Sequence, residues 1–393
     1  MTKEICCDTT IVGCGAAGLF AALHLPKTER VVILSKEEAE TCNSMLAQGG
    51  ICVLRGQEDY DSYFEDTLRA GHYENRRESV DIMLRTSPSI IQQLVDYGVR
   101  FHREADGSLS YTKEGAHSKP RICFHEDITG KEITSTLRAR VLELSNVELR
   151  EFTPMTDILV ENGQCVGVEA RTPEGDTLLI HSKNTILATG GIGGLYQHST
   201  NYRCMTGDAL DIAKSHGIRL DHLDYVQIHP TVLYSEKPGR RFLISESARG
   251  EGAILLNSKG QWFVDELLPR DVVSEAIRQE MAREGSKFVR LSFERIPERE
   301  IREHFPNILA TCLQEGYDIT REPIPVCPAQ HYFMGGIYVD SHSQTTMPHL
   351  YAVGETSCNG VHGKNRLASN SLLESLVFGE RAASHIAETR KDD

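Results

Sequence analysis

Apolar positions in residues 9–34 change period twice within one short stretch. "TTIV" is a compact apolar run, "GCGAAG" breaks it, "LFAALHL" restores a helical spacing, and "RVVILSK" closes with a second apolar run. That order predicts strand, glycine turn, helix and strand. Residues 60–100 keep the helical period. Residues 141–190 read as strands, with Asn162-Gly163 and Glu174-Gly175 where hairpin turns belong. From about residue 222 to 332 the texture shifts: prolines increase, and the helical "RDVVSEAIRQEMAREG" stands beside less periodic polar segments. Short apolar strands return in "GGIYVD" and "HLYAVGE", followed by a helix opening near 369–380. The pattern predicts an α/β fold in which one domain, residues 1–221 and 333–393, is interrupted by a second, residues 222–332.

Composition narrows the function classes. A chain of 393 residues has length for about two domains, and 40% hydrophobic with 25% charged residues is ordinary for a globular protein. The formal charge of −14 argues against nucleic acid as a partner. It leaves room for a small anion held by a local cationic cluster. Eleven cysteines occur without a C-x-x-C pair or other metal spacing, so no metal site is expected and the thiols read as scattered and reduced. No apolar run approaches the ~18 residues of a membrane helix, and the N-terminus lacks a signal-peptide core. The expectation is a soluble, cytoplasmic protein with no membrane partner.

Three apolar runs end in glycine. The first, "IVGCGAAG", spaces Gly13, Gly15 and Gly18 as G-x-G-x-x-G between a strand and a helix. The spacing suits a tight turn, a close backbone approach by a pyrophosphate and close helix–strand packing, with helix amides facing the phosphates. The second strand breaks the usual pattern: it ends in Ser35-Lys36, where an acid normally holds the ribose. "ILATGGIGG" and "LYAVGETSCNGVHG" repeat the strand-to-glycine theme, the latter reaching Glu355. "NSMLAQGGI" presents Gln48-Gly49-Gly50, a flat backbone that suits a planar ring or else forms a plain loop.

Four further motifs place polar residues in unusual company: "QIHPT" with His229, "LPRDVV" with Arg270, "PAQHYFMGG" with His331 and "NRLASNS" with Arg366. Singly each has an ordinary explanation. Arg270 can cap a helix or pair with Asp271, and His229 can bond a turn carbonyl. Together, two arginines and two histidines make a clamp for a dicarboxylate. The last helix opens with Lys364, Asn365, Arg366, Ser369, Asn370 and Ser371, either a polar surface cap or an N-terminus facing an anion.

The ordered set "AQGGI", "TGDALDIA", "HPTVLY", "SARGEGA", "PRDVVS", "AQHYFMGGI" and "NRLASNSLLE" resembles the L-aspartate oxidase family, within the succinate dehydrogenase and fumarate reductase flavoproteins. The resemblance runs over nearly the whole chain. It implies a Rossmann-like FAD-binding domain of the glutathione-reductase type, with an inserted α+β capping domain. The C-terminal helical domain of many relatives is expected to be absent. FAD would meet Gly13, Cys14, Gly15, Ala16, Ala17 and Gly18 at its pyrophosphate and Lys36 at its ribose. Asn43, Ser44, Ala47, Gln48, Gly49 and Gly50 would meet the flavin, with Asp208, Glu355, Ser371 and Leu372. Asn43 stands where covalent relatives carry the histidine that attaches the flavin, so the FAD is expected to be non-covalent.

The resemblance further implies Arg270 as the catalytic residue and His229, Ser245, His331, Arg366 and Ser369 as substrate contacts, with Ser245 in place of a common threonine. Glu114, in "TKEGAHSKPR", matches an acid that favours an amino-bearing substrate; a loop glutamate paired with Lys113 or Lys119 is the plainer reading. Arg270 acts first as an electrostatic clamp, because a guanidinium stays protonated. The implied reaction is oxidation of L-aspartate to iminoaspartate by hydride transfer to FAD, with oxygen or fumarate as reoxidant. It is the first step of NAD biosynthesis and would supply quinolinate synthase. The rivals are a soluble fumarate reductase acting on C4 dicarboxylates, and a flavin-binding scaffold or sensor without turnover.

Overall fold

The computed structural model describes residues 1–389; the last four positions of the expected closing segment, 390–393, lie outside the described residues. Six strands build the body of the main sheet: β1 (Thr2–Val12), β2 (Val31–Leu34), β3 (Val147–Arg150), β4 (Met155–Glu161), β5 (Gln164–Arg171) and β6 (Thr177–Leu187). Their order is β3-β2-β1-β6-β5-β4. The first four are mutually parallel, and β4 and β5 continue from β6 as antiparallel neighbours. The run Val31–Leu34 is buried throughout because both faces are covered. Val31 and Ile33 enter a core with Phe20 and Leu376, while Val32 and Leu34 enter another with Ile158 and Val168. Asn162-Gly163 forms the two-residue β4–β5 hairpin, with Glu161 opposite Gln164; Glu174-Gly175 lies in the longer link between Arg171 and Thr177.

Helix α1 (Ala16–His24) follows β1 directly, and α2 (Tyr60–Ala70), α3 (Arg77–Tyr97) and α4 (Thr129–Leu142) cover one face. After α5 (Asp208–Ser215) the chain leaves the sheet. It forms a second, antiparallel one from β7 (Val226–Leu233), β8 (Ile254–Leu256), β9 (Val289–Ser292) and β10 (Ile324–Phe333), in the order β7-β10-β9-β8. This sheet carries α6 (Glu246–Gly250) and α7 (Arg270–Glu284), with α8 (Glu298–His304) and α9 (Pro306–Gln314) packed nearby. Its core is separate, built around Ile244, Val273, Ile277, Phe293, Phe305 and Val326.

The chain then returns with β11 (Leu350–Ala352), parallel to the last third of β6, and ends in α10 (Asn370–Thr389). The length of β6 matters here. Its first half pairs the β4–β5 hairpin, and its last residues, Thr185–Leu187, pair β11. Thus β1, β2, β6 and β11 all end at one edge, and the three glycine-terminated runs open onto the same crevice, where ligands of open parallel sheets collect. The closing helix begins at Asn370, one residue after the expected start, and runs well past 380.

Candidate active site

One cleft runs from the glycine turn after β1 to the start of α7, bordered by Gly15, Lys36, Gly49, Glu355, Arg366 and Arg270. At its first end, Gly13 has φ +116°, and a Cβ there would strike the Ala188 carbonyl. Only a residue without a side chain takes that conformation beside that backbone. Helix α1 starts at Ala16, whose amide donates to Ser44 Oγ at 3.0 Å. The Cys14 thiol donates to Ser35 Oγ at 3.1 Å, tying the ends of β1 and β2 together.

Lys36 Nζ donates to Asp208 Oδ2 and Thr206 Oγ1, both at 2.8 Å. The acid missing from the end of β2 therefore stands beside Lys36 on the first turn of α5.

The middle of the cleft is nearly bare backbone. Gln48 and Gly49 offer carbonyls to Thr129 Oγ1, at 3.4 and 3.1 Å. A side chain on Gly49 would collide with the Glu114 carboxylate. Asn43 Oδ1 accepts from the Tyr202 amide at 3.1 Å, and Ala47 lines the same wall. Glu355 accepts from the Phe333 amide at 3.0 Å. Burial pushes its carboxyl up to about 7, against the opposing effects of that amide and Arg366. Ser371 and Leu372 line the cleft from the first turn of α10, and Ser369 just ahead of it has φ +60°, uncommon for a non-glycine residue.

The far end is cationic and enclosed. Arg270, the first residue of α7, turns inward: Nη1 donates to Gln227 Oε1 at 2.9 Å and Nε to Glu246. Asp271 pairs instead with His72, at 2.8 Å. Arg366 lies 4.4 Å over the Tyr332 ring and donates from Nη1 to Ser371 Oγ at 3.0 Å, while its buried Nε has no partner. Burial, then repulsion from Arg270, pushes its guanidinium down to about 10, still charged at neutral pH.

His229 Nδ1 accepts from the Thr231 amide at 3.2 Å, which leaves Nε2 as the protonated nitrogen. That atom is buried and unpartnered. His331 Nδ1 is 2.7 Å from Thr200 Oγ1, and the two imidazoles cross edge-to-face with centroids 5.1 Å apart. Burial first and Arg270 second hold both well below the usual histidine range, so both are neutral.

Ser245 caps α6 by accepting from the Ser247 amide. Glu114 pairs with neither Lys113 nor Lys119. Its Oε2 accepts from Ser369 Oγ at 2.5 Å and its Oε1 from Ser247 Oγ at 2.9 Å. Burial and the nearby Glu246 carboxylate raise its pKa.

Several residues here escaped sequence reading. Glu246, Gln227, Ser247 and Tyr332 lay inside or beside the quoted motifs without being singled out. Arg249 is fully buried on α6, 3.3 Å from Glu246, and the acid-and-arginine spacing of one helical turn in "ESAR" was the available signal. A support network was also missed. Arg121, wholly buried, binds Asp59 and Asp66 and donates to His117 Nδ1 at 3.1 Å. His117 Nε2 therefore carries the proton and donates to the Ala368 carbonyl at 3.0 Å, fixing the loop between Arg366 and Ser369.

The donor set fits FAD beside a dianion. Helix amides stand at one end, flat backbone in the middle, and two guanidiniums with an unpartnered imidazole N–H at the other. No group of three His, Cys, Asp or Glu residues able to hold a metal ion occurs among the described residues. No helix among them is long and apolar enough to cross a membrane.

Comparison with known proteins agrees. Residues 8–372 match the family model described as FAD binding domain. An L-aspartate oxidase of Clostridium perfringens is 50% identical over 380 residues, covering 96% of this chain and 86% of that protein. One of Bacillus subtilis is 40% identical over 388 residues, covering 96% and 71%. Among solved structures, an E. coli quinol fumarate reductase FrdA chain superposes with a TM-score of 0.92 at 33% identity, covering 98% of this chain and 70% of that one. The stronger identity lies with the oxidases, and the fumarate reductase reading is not favoured. Its motifs, its FAD-binding fold and its relatives together place the chain in the L-aspartate oxidase family of FAD-dependent oxidoreductases.

Proposed function

We propose that the cleft binds L-aspartate by both carboxylates and its ammonium group, and that the protein oxidises it to iminoaspartate as the first step of NAD biosynthesis. One observation carries the substrate assignment: a buried carboxylate, Glu114, shares the cleft with two inward-facing guanidiniums, Arg270 and Arg366. Two cations suit the two carboxylates; Glu246 is engaged by Arg270 and Arg249, whereas Glu114 meets only serine hydroxyls and suits the ammonium.

Gly13 to Gly18, Lys36 and Asp208 would hold the pyrophosphate and ribose of FAD. Asn43 to Gly50, Glu355, Ser371 and Leu372 would hold its ring system. When bound, FAD supplies the acceptor for the hydride leaving Cα. The chain's own residues supply orientation and charge. Arg270 is braced by Glu246 and Gln227, so its guanidinium cannot swing, and Arg366 is fixed on the Tyr332 face. His229, neutral, presents Nε2–H to a carboxylate oxygen; His331, Ser245 and Ser369 complete the set. Glu114 draws the ammonium toward itself and can accept its proton. The first turn of α10 offers amides and a positive potential to an anionic ring edge.

Oxygen or fumarate as reoxidant, a cytoplasmic location and delivery of iminoaspartate to quinolinate synthase belong to the same proposed reading. Asn43 offers a carboxamide where covalent attachment needs an imidazole, so acid precipitation should release all flavin into the supernatant. The direct test is flavin bleaching without air. L-Aspartate should bleach the flavin quickly and succinate poorly; equal bleaching by both, or by neither, overturns the assignment.

A further inference from the structure

Glu114 has a second partner that does not line the cleft. Glu114 Oε2 meets Ser369, and its Oε1 stands against the bare backbone of Gly49. Ser247, on α6 and buried, donates to the same Oε1 at 2.9 Å. Ser247 Oγ also lies 3.0 Å from Ser245 Oγ, and Ser245 Oγ already accepts from the Ser247 amide. A hydroxyl has one proton to give. With Glu114 ionised every proton finds an acceptor: Ser245 donates to Ser247, Ser247 to Oε1, and Ser369 to Oε2.

Building on the reading above, we propose that Ser247 is a positioning residue that sets substrate preference, its hydroxyl keeping Glu114 an ionised acceptor aimed at the ammonium of the substrate. Ser369 cannot do this alone, because it lines the cleft and is itself a proposed substrate contact. Ser247 is buried and is not among the residues that line the cleft, so a bound substrate does not compete for its hydroxyl.

The charges around Glu114 make such a donor necessary. Burial and Glu246 on α6 favour its neutral form, whereas Arg270 at the start of α7 and the two serine hydroxyls favour the charged form. Arg249 on α6 and the Cys52 thiol, in the short strand Ile51–Cys52, also feel its charge. Hydrogen bonds to a carboxylate stabilise its ionised form. A neutral Glu114 attracts no ammonium, so activity toward L-aspartate falls on the acid side of the Glu114 titration. Removing a donor raises that titration, and the acid limb moves to higher pH.

The test uses the FAD-loaded protein with Ser247→Ala, and the equal-volume pair Ser247→Thr and Ser247→Val in case the smaller side chain disturbs folding. Two readouts are taken across pH: kcat/KM for L-aspartate, and the inhibition constant of succinate, which has no ammonium. Ser247→Ala and Ser247→Val should retain flavin and shift the acid limb upward by about one pH unit, the scale of one lost hydrogen bond to an ionised group. On the acid side kcat/KM should fall about tenfold, with succinate inhibition nearly unchanged and Ser247→Thr behaving as wild type. The proposal is overturned if the acid limb stays in place, if L-aspartate and succinate weaken together, or if Thr and Val behave alike. Failure of wild type to be reduced by L-aspartate would remove the parent reading as well; an active wild type with indifferent variants removes this inference alone.

Discussion

The two ends of the cleft are made of different material. The end beside α1 and the middle are largely backbone: a glycine turn, helix amides and flat peptide planes, each from a short local run, with the Lys36–Asp208 pair alongside. The far end is side chain, and its pieces come from β7, α6, α7, β10, the Glu114 loop and the segment before α10. A backbone site depends on conformation, so a wrong residue distorts it. A side-chain site depends on charge and reach, so a wrong residue can leave the fold intact and remove only the chemistry.

The sharpest way to expose that contrast is Gly13→Val. At φ +116°, with the Ala188 carbonyl where a Cβ would sit, a branched side chain cannot be accommodated. The expected outcome is loss of flavin binding altogether, read as a colourless purified protein. Yellow protein with normal flavin content would show that the turn tolerates a side chain and that the backbone account is wrong.

Arg366→Leu should do the opposite. Flavin should stay bound while turnover with L-aspartate drops by at least ~10²-fold, the scale of a lost positioning and charge-stabilising group. A variant that loses flavin in step with turnover would make Arg366 part of the cofactor wall and blur the division. Glu114→Gln keeps the shape and removes the charge. It should lower kcat/KM for L-aspartate by about tenfold or more, with little effect on succinate inhibition, as expected for one lost partner of a desolvated charge pair.

The same contrast explains what the sequence disclosed. G-x-G-x-x-G is legible because a local turn needs local spacing, and the hairpin at Asn162-Gly163 is legible for the same reason. The inserted sheet showed only as a change of texture, because antiparallel pairing of β7 with β10 joins residues about a hundred positions apart. Lys36 looked like a defect until α5 brought Asp208 to it. Arg270 stood out as one piece of a clamp, but its catalytic role came only by resemblance, and nothing in "LPRDVV" says that its partner is Glu246 rather than the adjacent Asp271. Ser247 and the Arg121–His117 support were invisible for a plainer reason: each acts through another side chain, and the contact is set by tertiary packing.

The smallest effect tests how the two regions are joined. Asp127, in the loop before α4, accepts from the amides of Asn307 at 3.0 Å and Ile308 at 2.6 Å, the first turn of α9. It therefore caps a helix associated with the inserted sheet from the flavin side. Burial raises its pKa to about 6 despite those two donors. In the unfolded chain an aspartate titrates near ~3.9. Between these values the folded state holds the proton and the unfolded state does not, so stability falls as pH rises through the interval and levels off above about 6. The difference amounts to about 3 kcal/mol. Asp127→Asn cannot titrate, so its stability should lack this component. The difference in unfolding free energy, wild type minus variant, should decline from about pH 4 to about pH 6 and stay flat beyond. Flavin content and turnover at neutral pH should change little, because Asp127 borders neither end of the cleft. A difference that rises over the same interval would mean that the helix amides outweigh burial, making the join between the regions an ionic cap rather than a buried acid.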